Sequence, residues 1–109
     1  MRIGTDIIEV SRIEKLIKEK GGKFLNRIYT QEEIDYCESK GPNKYQHYAG
    51  RFAAKEAVFK ILGTKQLKFK SIEILNKHDG SPYINTFQFD INISISHIKK
   101  YATAVAIMK

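Results

Sequence analysis

Three side chains able to do chemistry stand in apolar surroundings. In "GTDII" the carboxylate of Asp6 follows a glycine within a strand-like run. In "RFAAKEAVFKILG" Glu56 interrupts an apolar stripe, and Lys60 lies one helical turn beyond it. At 3.6 residues per turn, Phe52 and Phe59 share that stripe with Tyr45, Tyr48 and Ala49. A carboxylate among core residues is costly unless it is paired or holds a cation. The local pairing on offer is an i,i+4 bridge from Glu56 to Lys60. Exposed, such a bridge is worth only about 0.3–0.5 kcal/mol, too little to place a charge in a core stripe. For Asp6 the local alternative is hydrogen bonding to nearby backbone amides. If Asp6 and Glu56 converge, they form a hard, oxygen-rich pair. That suits Mg²⁺, with Mn²⁺ as the alternative, because such ions take one or two carboxylates and complete their shell with water and substrate phosphate. Lys60 would face the same phosphates, and the set is that of metal-assisted phosphoryl transfer.

Such a set needs a strand for Asp6 and a helix for Glu56 and Lys60. The chain opens with the strand-like "RIGTDIIEV". In "SRIEKLIKEKGG", Ser11 and Glu14 have capping-box spacing, Ile13, Leu16 and Ile17 make an apolar face, and Gly21-Gly22 is a stop. In "YTQEEI", Thr30 and Glu33 form another capping box, and Tyr29 and Ile34 have the spacing of a hydrophobic staple. That second helix ends near "SKGP". Asn43 caps a long helix, roughly 44–62, and Gly63 terminates it. Thereafter the period changes to two. "KSIEILNK" and "PYINTF" flank a turn through Asp79-Gly80, and "INISISH" pairs with "YATAVAIM" about "IKK". The face of Ala102, Ala104 and Ala106 is narrow, so the long helix or another subunit packs close against it. The expected fold is α+β: an N-terminal strand and helices, with a long buried central helix packed on an antiparallel sheet. Residues 1–109 are read as a single domain.

The bulk properties exclude several classes. One cysteine, Cys37, gives no disulfide framework and no metal-ligand spacing, and is read as a small core residue. "MRIGTDIIEVSRIEK" meets charge too early for a signal peptide, and no apolar run approaches a membrane span. A cytoplasmic protein with no membrane partner is expected. The net charge of +7 favours acidic company: nucleic acid, anionic lipid, a phosphorylated small molecule or an acidic protein. His97 ends its strand on the isoleucine face and reads, from the residues alone, as a hydrogen-bonded structural histidine.

Taken together, "IGTDIIEVSRIEK", "RFAAKEAVFKILG" and "SISHIKKYATAVAI" resemble the holo-acyl-carrier-protein synthase family, the short bacterial-type 4′-phosphopantetheinyl transferases. The resemblance runs nearly end to end. It rests on Gly4-Thr5-Asp6 and on Phe52-Ala53-Ala54-Lys55-Glu56-Ala57-Val58-Phe59-Lys60. It implies transfer of the phosphopantetheine arm of coenzyme A to a serine of apo acyl carrier protein, with release of adenosine 3′,5′-bisphosphate, in fatty acid biosynthesis. Asp6 and Glu56 would hold Mg²⁺. Lys60 would neutralise or protonate the leaving phosphate. Glu56, directly or through a metal-held water, could accept the serine proton. Arg51, Lys55, Lys60, His97 and the "GSP" turn with Pro82 would contact coenzyme A. The family's short members are trimers with the site between subunits. Its carrier-docking region corresponds to the first helix and "GGKFLNRIYT", with Arg12 and Arg27 as contacts to the acidic carrier and Phe24 as an apolar anchor. One departure is "GTKQLKFKS", which has fewer glycines after Gly63-Thr64 than the family often shows, so a differently shaped loop over coenzyme A is expected there.

Two other readings compete. A basic α+β domain can stack bases on exposed aromatic residues, but the lysines are scattered, the strands carry no aromatic platform, and Asp6 and Glu56 would repel a phosphate backbone. An inactive trimer that binds the carrier without turnover ranks below it, because every motif residue is present.

Overall fold

A computed structural model describes residues 1–63, 67–85 and 87–109. Part of the segment after Gly63, where a differently shaped loop is expected, lies outside the described residues. The fold is α+β, as expected. Strand β1 (Arg2–Glu9) runs into helix α1 (Val10–Lys20), followed by α2 (Gly22–Ile28), α3 (Gln31–Glu38) and α4 (Lys44–Leu62). Strands β2 (Glu73–Asn76) and β3 (Pro82–Asn85) form one hairpin, and β4 (Ile91–His97) and β5 (Tyr101–Met108) another. The N-terminal strand joins the second hairpin in an antiparallel sheet of order β1-β5-β4, with Arg2 opposite Met108 and Glu9 opposite Tyr101.

Alternation sorts the residues of this sheet onto two faces. Gly4 and Ile8 of β1, Ile91 of β4, and Ala102, Ala104 and Ala106 of β5 are buried. Helix α4 lies on that face, so it is the helix that meets the narrow alanine surface. Two glycines let it come close. A Cβ on Gly4 would collide with the carbonyl oxygen of Ala57, and one on Gly50 would sit 2.8 Å from Cγ2 of Ile95. The obstacle at Gly4 is helix backbone, which cannot rotate away. Gly4→Ala should therefore cost about 1–3 kcal/mol, the usual penalty for overfilling a packed site, and should lower the urea midpoint accordingly.

The opposite face of the sheet carries exposed Ile3, Ile7, Tyr101 and Val105. Among the described residues no helix is long and apolar enough to cross a membrane.

Several local signals behave as read. Thr30 and Glu33 form the reciprocal capping box of α3. Gly63 closes α4 at φ +66°, donating its N–H to the Phe59 carbonyl at 2.9 Å. Cys37 is buried, and burial pushes its thiol up to about 12, so it is an inert core residue.

Three readings are corrected. The Ser11–Glu14 capping box does not form. Helix α1 begins two residues earlier, with Glu9 at its N-cap, and its first N–H, from Val10, donates to the Lys100 carbonyl in the β4–β5 turn. Gly21 ends α1 at φ +53°, but the chain restarts at once as α2, held by Phe24 and Leu25 packing on the core. Asn43 precedes α4 without capping it through its side chain, because a 3₁₀ turn at Gly41–Asn43 leads into the helix.

Candidate active site

Helix α4 is buried around most of its circumference. What stays open is a strip through Phe52, Glu56 and Lys60, spaced four residues apart. The stripe that holds Glu56 is thus not wholly core, and Glu56 is half-buried at its open edge. The expected Glu56–Lys60 bridge is absent. Lys60 instead reaches across to β1, donating to the Thr5 carbonyl at 2.7 Å and to Asp6 Oδ1 at 3.2 Å. Two acceptors on a fixed strand outcompete one side chain on the same helix. Asp6 shares the α4-facing side of β1 with Gly4 and Ile8. The structure so brings Asp6 and Lys60 into contact, with Glu56 about 6 Å earlier along the helix axis.

Among the described residues Glu56 has no ion-pair partner, and Asp6 has Lys60 alone. No three of the described His, Cys, Asp and Glu residues cluster tightly enough to hold a metal by themselves. The donor set on offer is two hard carboxylates, which fits an ion that draws the rest of its shell from water and phosphate.

A second locus lies where α3, α4, the β2–β3 turn and the end of β4 meet. There a pocket of about 160 Å³ is lined by Arg51, Pro82 and His97, three of the expected coenzyme A residues, together with Tyr36, His47 and Asn76. Arg51 is 3% exposed. Its Nη2 donates to Asn76 Oδ1 at 2.6 Å, and its guanidinium lies 4.1 Å from the centre of the Tyr36 ring. Its Nε makes no hydrogen bond and stands 4.0 Å from Glu33 Oε2. Asn76 in turn donates to the Gly80 carbonyl at 2.9 Å, fixing the hairpin turn beside Pro82. His97 Nδ1 meets Gln46 Oε1 at 2.9 Å, so the hydrogen bond read from sequence is present, at the rim of the pocket.

Lys55 does not belong to this surface, and its reading as a coenzyme A contact is corrected. It is fully buried, and its ammonium donates to Glu33 Oε1 at 2.7 Å, to the Ile28 carbonyl at 2.9 Å and to the Phe69 carbonyl at 3.0 Å. All three hydrogens are used, which leaves none for a ligand. Burial lowers its pKa, and Glu33 opposes the shift. Glu33, read from sequence as a capping-box residue, is also a fully buried carboxylate. It accepts from Lys55, from the Thr30 N–H at 2.9 Å and from the Ile74 N–H at 3.1 Å. Sequence spacing showed the first turn of α3 and nothing of the partners that arrive from α4 and β2.

The expected carrier contacts are spread out. Arg12 is exposed on α1 beside Ile7 and Tyr101. Arg27 is exposed at the lip of an apolar groove formed by Phe59, Leu67 and Phe69, with Lys68 and Lys70 on its rim. Phe24 is half-buried, stacked on Phe52 at 6.5 Å and edge-on to Tyr29 at 6.2 Å. Its ring is more a wall of the core than a projecting anchor.

The model of the 4′-phosphopantetheinyl transferase superfamily matches residues 2–106. The chain is 45% identical, over 122 aligned positions, to the holo-[acyl-carrier-protein] synthase of Ruminiclostridium cellulolyticum, covering 99% of this chain and 91% of that one. It is similar to the solved holo-(acyl-carrier-protein) synthase of Bacillus anthracis in complex with CoA (3′,5′-ADP), with TM-score 0.86 and 40% identity over 98% of this chain and 94% of that one. It is likewise similar to the Helicobacter pylori holo-[acyl-carrier-protein] synthase in complex with coenzyme A, with TM-score 0.85 and 34% identity over 98% and 99% of the two chains.

Proposed function

This chain belongs to the 4′-phosphopantetheinyl transferase superfamily, and from that premise we propose which of its residues carry the reaction. The chain is a phosphopantetheinyl transferase: it moves the 4′-phosphopantetheine arm of coenzyme A onto apo acyl carrier protein. The observation that carries our assignment is the Lys60 ammonium on Asp6 and the Thr5 carbonyl, with Glu56 one turn away on the open strip of α4.

Asp6 and Glu56 would hold Mg²⁺, or Mn²⁺, which would offset the charge of the coenzyme A pyrophosphate. A serine hydroxyl of the carrier attacks the phosphorus that bears pantetheine. The bond from that phosphorus to the bridging oxygen breaks, and adenosine 3′,5′-bisphosphate leaves. Glu56 takes the hydroxyl proton. Lys60, an exposed ammonium on a flexible stem, turns from Asp6 to the leaving phosphate and stabilises or protonates it. Arg51, Pro82 and His97 bind the nucleotide half of coenzyme A. Arg12 and Arg27 meet the acidic carrier, with the exposed part of Phe24 on the same helix as Arg27. The reaction serves fatty acid biosynthesis in the cytoplasm.

The family resemblance implies a homotrimer with sites between subunits, and helix geometry is compatible with a shared site. Five residues separate Arg51 from Glu56, which turns them about 140° apart around α4. The two residues therefore face different sides of the helix. A neighbouring copy can supply the missing half, and the exposed Ile3, Ile7, Tyr101 and Val105 offer an apolar sheet face for it to cover.

The test is direct. The protein is mixed with coenzyme A, Mg²⁺ and apo acyl carrier protein, and the carrier is weighed by mass spectrometry with and without EDTA. We expect a gain of one phosphopantetheine that EDTA abolishes. No gain in carrier mass overturns the assignment, and carrier binding without a gain would identify an inactive interaction protein. A gain that survives EDTA overturns the metal role of Asp6 and Glu56.

A further inference from the structure

His47 carries no assignment in the reaction just described, yet it faces the same pocket as Arg51 and His97. Its imidazole packs edge-on against His97 at 4.8 Å between ring centres, and against Tyr36 at 5.7 Å. On its other side His97 is held through Nδ1, which lies 2.9 Å from Gln46 Oε1.

The charged groups around His47 are of one sign. Arg51 comes from α4, Lys40 from the turn after α3, and His97 from β4. The β2–β3 side presents Asn76, Gly80 and Pro82, and Asp79 in that turn is held by the Ser81 hydroxyl and N–H. Of the carboxylates nearby, Glu33 is committed to Lys55 and Glu38 to Tyr48 and Lys44. Burial, with help from these cations, holds the His47 imidazole down to about 4. The floor of the pocket repeats the message: the Arg51 guanidinium is almost fully buried, and its Nε lacks an acceptor. A pocket with two imidazoles, a guanidinium and no uncommitted carboxylate is complementary to an anion.

We propose that His47 is a further ligand-binding residue of this pocket, and that its imidazole, packed against His97, takes up a proton from solvent when a phosphate-bearing nucleotide docks. The inference rests on the reading of the pocket as the nucleotide site for coenzyme A. The sign follows from the charges. The free His47 imidazole is short of protons near neutrality, and a phosphate against it favours the protonated ring. Binding therefore tightens as pH falls, and release of the bisphosphate product becomes easier as pH rises.

The test compares the wild-type protein with His47→Phe, which keeps an aromatic ring against Tyr36 and His97 but cannot titrate. Coenzyme A binding is measured by calorimetry between pH 5.5 and 7.5, in two buffers of different ionisation enthalpy. The ligand phosphate itself titrates near pH 6, equally for both proteins, so the difference isolates His47. We expect the wild type to take up about 0.5–1 proton more than the variant at pH 6. Its affinity should also weaken about three- to tenfold more per pH unit on going alkaline. Equal uptake and equal pH dependence would overturn the inference while leaving the nucleotide site in place. A second measurement needs no variant. The His47 ring signal in NMR should titrate about two units or more higher when the protein is saturated with coenzyme A, and an unmoved midpoint overturns the inference. Absence of coenzyme A binding at any pH would instead remove the reading of the pocket on which it stands.

Discussion

Lys55→Met should lose about 3–5 kcal/mol of folding stability, the usual cost of stranding one member of a buried ion pair. The ammonium of Lys55 is fully buried, and its three acceptors come from α2, α3 and the 3₁₀ turn at Phe69–Ser71. Removing it leaves the buried Glu33 carboxylate and two carbonyls without their cation. A domain of this size commands only about 5–15 kcal/mol in all, so the variant should lose much of its cooperative urea transition. Glu33→Gln in the same chain should recover part of the loss. Glutamine keeps an acceptor for the Thr30 and Ile74 N–H groups while removing the orphaned charge. Urea midpoints of the single and double variants decide the matter. A Lys55→Met protein of unchanged stability but weakened coenzyme A binding would return this residue to the ligand surface.

Glu56→Gln and Asp6→Asn should do the opposite: leave the fold and remove the chemistry. Each takes away one of two hard oxygen donors for the cation, and the loss of several kcal/mol of charge stabilisation corresponds to about a 10³-fold fall in turnover or more. Stability should barely move. Glu56 has no ion-pair partner among the described residues, and Asp6 forfeits a bond to a Lys60 side chain that is 55% exposed, worth about 0–1 kcal/mol. Turnover is read from the carrier mass gain and stability from the melting curve of the same samples. Unchanged turnover in either variant would sink the metal assignment.

What the sequence made legible follows the range of the forces involved. Helix α4 and its end at Gly63 were readable because apolar periodicity and a left-handed glycine act within a few residues. Both hairpins were readable from alternation and the Asp79-Gly80 turn. Asp6, Glu56 and Lys60 stood out as charges in apolar runs. Their pairing did not, because Lys60 selects a carboxylate 54 positions away over one four positions away. Lys55 was misjudged for the same reason. Next to Glu56 it looked like part of a phosphate site, but one residue of helix is a turn of about 100°, which aims it into the core at Glu33. His47 gave no signal either, since its meaning comes from His97, on a strand that follows it by half the chain.

The order of the sheet also sets a timetable. Its middle strand, β5, is the last one described, and its partner β1 is the first. On a ribosome adding about 5–20 residues per second, Glu9 is synthesised about 5–20 s before the Tyr101 it must face. Throughout that interval α4 has no floor to lie on, because Ala102, Ala104 and Ala106 do not yet exist. The nascent chain must keep Ile8, Val58 and Ile61 from other partners until residues 101–108 emerge, and the core then closes in one late, all-or-none event. The β1-β5-β4 sheet therefore waits for residues 101–108, and a chain cut short before Tyr101 lacks its middle strand and leaves α4 uncovered, a natural substrate for chaperones and proteases.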